Sequence, residues 1–177
     1  MSALTNALTR RPPAHEPPTR GIPSNVAIFG HPIHPMLIPY PVAFLTSVVA
    51  TDLAARATKD SFWGRASSLL TGAGIVSGLV AGAVGAVDYF LIRRARETST
   101  GKLHAYGNPL ALGLAAASLA ARRGQALPSQ NAVALSLATA ALLGVTAWAG
   151  AELSYRHMVG VVGRNDQHGK REGRYAR

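Results

Sequence analysis

Six side chains of this 177-residue chain are of types that do chemistry together: His31, His34, Asp88, His104, Asn108 and His157. Imidazole is the commonest metal ligand near neutral pH. A set of histidines with a carboxylate suits zinc, iron, copper or nickel. Two histidines on different helices serve equally as axial ligands to a haem iron, as in bundle-core cofactor sites. The chain has no cysteine, which removes disulfides, thiolate metal sites, cysteine-ligated iron–sulfur clusters and c-type haem attachment. His15 and His168 fall in polar terminal segments and are not candidates.

The densest motif is Gly30-His31-Pro32-Ile33-His34-Pro35. Each histidine precedes a proline, which disfavours the α region and predicts an extended form. Three residues of polyproline helix complete one turn over about 9 Å, so both rings would point to one side. Pro35 suits a first helical turn, with His34 near its cap. Pro39 and Pro41 remove two more amide donors, and irregular backbone of this kind belongs where it lines a cavity or packs in protein. The plain alternative is a rigid proline-rich entry with solvated histidines. Asp88 lies five residues before Arg93, about 7 Å along a helix. It is expected to face protein, with a loop arginine as the structural alternative. His104 and Asn108 share a helix face, although Asn108-Pro109 also reads as a helix start. Glu152 and Arg156 form an i, i+4 pair, and His157 follows where a helix end favours a cation.

Four apolar runs must position these groups: 35–55, 66–92, 104–121 and 131–155. Each approaches the roughly 20 residues a bilayer requires. Only 15% of residues are charged, against about 25% in soluble domains. The runs lack the polar stripes that a soluble bundle would show. The expected fold is therefore an all-α membrane protein, a four-helix transmembrane bundle occupying 28–163. A Pro- and Arg-rich disordered tail (1–27) without a secretory signal precedes it, and a basic tail (164–177) suited to anionic lipid follows.

Of the 18 Lys and Arg residues, Arg56, Lys59, Arg65, Arg122 and Arg123 fall on one side of such a bundle, and the rest on the side of the two termini. None is expected deep in a span. The positive-inside rule then puts both N and C termini in the cytoplasm, with the six candidate residues at the cytoplasmic edge. Tyr40, Tyr89, Tyr106 and Tyr155 mark that edge and Trp63 the other. The net charge of +10 resides in tails and loops rather than on a folded face, so nucleic acid is not an expected partner. Gly74, Gly78 and Gly82 form a small-residue stripe for close helix packing, central to the bundle or at a homo-oligomer contact. There is also an internal echo. His34 precedes Pro39 by five residues as His104 precedes Pro109, and 34–88 and 104–157 are nearly equal spacings, as in a parallel repeat.

The motif 30–39, with Gly85-Ala86-Val87-Asp88, His104 and Asn108, Tyr155-Arg156-His157 and Gly160-Val161, resembles a bacterial membrane-protein family, domain of unknown function 2231. The likeness covers about 28–163. Where the family has a glycine after the last histidine, this chain has Met158. The resemblance implies a multi-pass protein of the bacterial inner membrane. Some relatives lie beside redox modules, which implies redox membrane or peripheral proteins as partners besides the lipid bilayer. The leading expectation is haem b or a transition metal ion held by His31, His34, His104 and His157, with Asp88 and Asn108 as ligands or supporting groups, in an electron-transfer role. The alternatives are a small transporter or proton relay, and a structural or assembly subunit. A stand-alone enzyme is not expected, since there is no phosphate loop or nucleophile elbow.

Overall fold

A computed structural model of the chain describes residues 21–161. The tail residues before and after them, including His15, His168 and the basic 164–177 segment, lie outside the described residues. The elements are β1 (Ala27–Ile28), β2 (His31–Pro32), α1 (Ile33–Leu37), α2 (Pro39–Thr58), α3 (Ser61–Leu91), α4 (Arg93–Glu97), α5 (Ser99–Ala120) and α6 (Gln130–Tyr155). The protein is all-α apart from the two-residue strands. α2 packs along α3 and α5 along α6, and the two antiparallel hairpins meet through α3 against α5 and α2 against α6.

Helix starts follow local chemistry. Asp60, Thr98 and Ser129 cap α3, α5 and α6, their side chains accepting from the amides of Phe62, Gly101 and Ala132, donors that would otherwise be unpaired. Lys59, left-handed at φ 59°, ends α2 and leaves only Asp60 before α3 begins. β1 and β2 pair Ile28 with His31 across a two-residue turn, Phe29-Gly30, with both φ positive. Only primed turns fit so short a hairpin.

The packing is inverted relative to a soluble bundle. The centre holds Ala55, Ala81, Ala111, Ala115, Ala132 and Ala149 with Ser67, Thr71, Ser118, Ser136, Thr139 and Thr146. Leu69, Val76, Leu79, Phe90, Leu110, Leu137 and Trp148 point outward. Small and hydroxyl residues inside with large apolar ones outside is the arrangement of helices that associate in lipid. Ile33–Thr58 (α1 and α2 together), Ser61–Leu91 and Gln130–Tyr155 have the length and apolarity to cross a membrane. α5 is 22 residues long but falls short in apolarity, since Lys102, His104, Asn108 and Pro109 share its first half.

Several expectations change here. α5 starts at Ser99, five residues before His104, where the third apolar run was expected to begin, and ten before Pro109, the alternative start. Gly74 meets Leu45 and Phe44, and Gly78 meets Leu112 and Pro41, while a Cβ at Gly82 would meet nothing within 4 Å. The glycine stripe is therefore spent on packing within one chain over two of its three members. Residues 21–27 lie against the bundle: Ile22 bridges Val159, its amide donating to Met158 O and its carbonyl accepting from Gly160 N.

Candidate functional site

His34 and His104 are brought together. Their ring centroids lie 6.0 Å apart with planes at 87°. His34 sits on α1, whose first turn tolerates Pro35 because no intrahelical bond is required of that amide. The histidine motif is thus strand then helix, not polyproline, with His31 exposed and His34 half-buried. His34 Nδ1 is 2.8 Å from the carbonyl of Ala81 on α3. His104 Nδ1 is 2.8 Å from the carbonyl of Thr146 on α6. A carbonyl only accepts, so both Nδ1 atoms carry the proton when the rings are neutral. Both Nε2 atoms then hold a free lone pair, the tautomer that a second bond of this kind sets in metal-ligating histidines.

Glycine makes room for each ring. A Cβ on Gly85 would stand 2.7 Å from His34 Cε1, and one on Gly150 would stand 2.8 Å from His104 Cε1. Asn108 supports the second histidine from its own helix. Its amide donates to His104 O at 2.7 Å, and its carbonyl oxygen accepts from Thr146 Oγ1 at 3.1 Å. Thr146 therefore holds His104 through its backbone and Asn108 through its hydroxyl.

The other expected members stand apart. His31 is exposed on β2. Asp88 accepts from Ser24 Oγ, from Asn25 N at 2.7 Å and from Asn25 Nδ2 at 3.3 Å. It latches the incoming chain to the end of α3, and its partner is neither a histidine nor a loop arginine. His157 contributes its backbone carbonyl, which accepts from Arg94 at 3.0 Å. Glu152 and Arg156 pair at 3.2 Å as their spacing predicts. Among the described residues no three His, Asp or Glu side chains gather as a metal-holding group. The four-histidine set thus reduces to two.

At the opposite end of the bundle lies a site the sequence reading missed. Asp52 is fully buried and Arg122 is 5% exposed. Arg122 donates through both terminal nitrogens to the two Asp52 oxygens at 2.6 and 2.7 Å. Ser67 donates to Asp52 at 2.6 Å, and Arg122 reaches Ser118 at 3.1 Å and Ser136 at 2.7 Å. All four long helices contribute to this layer or to the turn after one. Arg122, expected among the loop cations, is instead inside the bundle. The available signals were Ser118 one helical turn before Arg122 and an acid, Asp52, in an otherwise uncharged run. Between this layer and the histidines lies an apolar layer of Leu45, Ala111, Ala115 and Leu143.

A family model described as "Predicted membrane protein (DUF2231)" matches residues 30–163. No curated protein and no solved structure matches the chain.

Proposed function

We propose, from the premise that this chain belongs to the DUF2231 family of predicted membrane proteins, that it is an integral membrane protein carrying one redox-active metal centre on His34 and His104. The observation that supports this is the matched pair of imidazoles, each fixed at Nδ1 by a carbonyl of the neighbouring helix and 6.0 Å from the other. With metal–nitrogen bonds of about 2 Å, rings this close could both reach one ion. A closed four-ligand protein site does not fit, because only two ligand side chains gather. A haem iron would be held by His34 and His104 and would bring the rest of its coordination with it. Such a group would supply one-electron transfer. The residues' part is to hold two neutral imidazoles at a set separation, with Asn108 and Thr146 fixing one of them.

The proposed orientation places this pair at the cytoplasmic edge of a bacterial inner membrane, following the basic residues. A proton relay is less well supported, because the apolar layer around Leu45 and Leu143 separates the histidines from the polar layer at Asp52. The test is a visible spectrum and metal analysis by mass spectrometry of the protein purified in mild detergent from haem-replete cells. A Soret band or near-stoichiometric metal is expected, lost in His34→Ala and His104→Ala and retained in His31→Ala and His157→Ala. Absence of both signals, or equal loss in all four variants, refutes the reading.

A further inference from the structure

The two hairpins carry the same pattern at fixed offsets. Positions 41–52 and 111–122 match one for one in burial. Positions 67–81 and 132–146 match likewise except at Gly72 against Leu137. The first offset relates His34 to His104, Pro39 to Pro109 and Asp52 to Arg122. The second relates Ala81, which holds His34, to Thr146, which holds His104, and Gly85 to Gly150. Asp88 is thereby equivalent to Leu153, not to His157 as the sequence spacing suggested. Two contacts between the hairpins, His34–His104 and Asp52–Arg122, each join a position to its own equivalent. Only positions on a two-fold axis can do that.

We propose that the two hairpins are equivalent halves related by an internal two-fold axis, and that the Asp52–Arg122 pair on this axis is the recognition element by which one half selects the other. Apart from the His34–His104 contact on the same axis and the Tyr89–Tyr106 ring contact, the buried interface is built from small, hydroxyl and aliphatic residues, and all of these suit a like half as well as an unlike one. On the axis a like pairing would set Asp against Asp or Arg against Arg, burying charges with no counter-charge. The apolar matrix is thus permissive, and one charged pair makes it selective.

The hydroxyls around the pair serve either sign, because a Ser or Thr side chain both donates and accepts. Ser67 bonds Asp52 on the first half's side, and Ser118 and Ser136 bond Arg122 on the second's. An arginine at 52 would have Ser67 as an acceptor, and an aspartate at 122 would have Ser118 and Ser136 as donors. The charges are therefore exchangeable across the axis.

The experiment uses the full-length chain carrying D52R, R122D, or both. Each is purified in detergent and read as the monodisperse fraction by gel filtration with light scattering, and as the midpoint of heat unfolding. Each single reversal is expected to lower the monodisperse fraction by more than about tenfold, and D52R/R122D to restore it to within about threefold of the original. A double reversal no better than the worse single variant overturns the proposal. So do single reversals that behave like the original chain. Failure of the single variants to fold is the expected result and leaves the double variant as the deciding measurement.

Discussion

At the scale of single residues, the histidine pair depends on two side chains that are missing. Gly85 and Gly150 give up their Cβ so that an imidazole can lie on the helix surface and reach a carbonyl one turn back. Gly85→Ala and Gly150→Ala should each displace a ring, at a cost of about 1–3 kcal/mol for overpacking. Heat unfolding in detergent measures the cost, and weakening of the proposed metal or haem signal measures the displacement. Gly82→Ala is the control, because nothing lies within 4 Å of its Cβ position. Asp52→Ala should cost more, about 3–5 kcal/mol, since it leaves Arg122 buried without its counter-charge. Asp52→Leu with Arg122→Met should recover much of that loss, as apolar residues of similar volume often do in place of a buried pair. Unfolding of the three chains under one denaturant series decides it.

The sequence alone picked out four of the residues now seen in contacts that matter, His34, Asp88, His104 and Asn108. Composition exposes polar groups in apolar runs but not their partners. Helix rotation decides partners, and nothing in a low-polarity helix reveals its rotation. His31 and His157 look like ligands for the same reason that Asp52 and Arg122 do not. Motif spacing is visible along the chain, whereas 52 and 122 become neighbours only when two hairpins close. The serines and threonines of the polar layer likewise read as ordinary helix packing until they meet.

At the scale of elements, the segment before α1 is held by a polar latch and by one apolar contact, Ile22 against the cluster of Ile92, Ala95, Leu153 and Val159. Ser24 and Asn25 bond Asp88, and Ile22 bridges Val159, while Ala27 to His31 remain exposed. Asp88→Ala should therefore release 24–28 without unfolding the bundle, with Ile22 still held by its own contacts. Hydrogen exchange should rise in that segment and stay slow in α3 and α6. If α3 loosened equally, Asp88 would be a bundle residue and not a latch. α5 offers a second contrast. Its polar first half explains why it lacks the apolarity of its neighbours, yet Gly107 lies against Thr146, and Ala111 and Ala115 are buried among the other helices. Short apolar length is tolerable in an element whose intramembrane polar groups, His104 and Asn108, bond within the bundle.

For the whole molecule, small residues inside and large apolar residues outside make the bilayer the solvent. The orientation proposed from the basic residues has a direct check, because the chain has no cysteine. A single cysteine at Lys59 should react with a membrane-impermeant maleimide in intact cells, and one at Lys102 only after permeabilisation. The reverse pattern would invert the protein and carry the histidine pair to the other face.

The bridge between Ile22 and Val159 has a topological consequence. The segments that enter and leave the bundle meet there as neighbouring backbone, so the fold is nearly a closed ring whose opening is a matter of where the chain happens to be cut. Joined at that bridge and reopened between Lys59 and Asp60, the same ring would run through its helices in a new order, with both ends moved to the face that carries the Asp52–Arg122 pair.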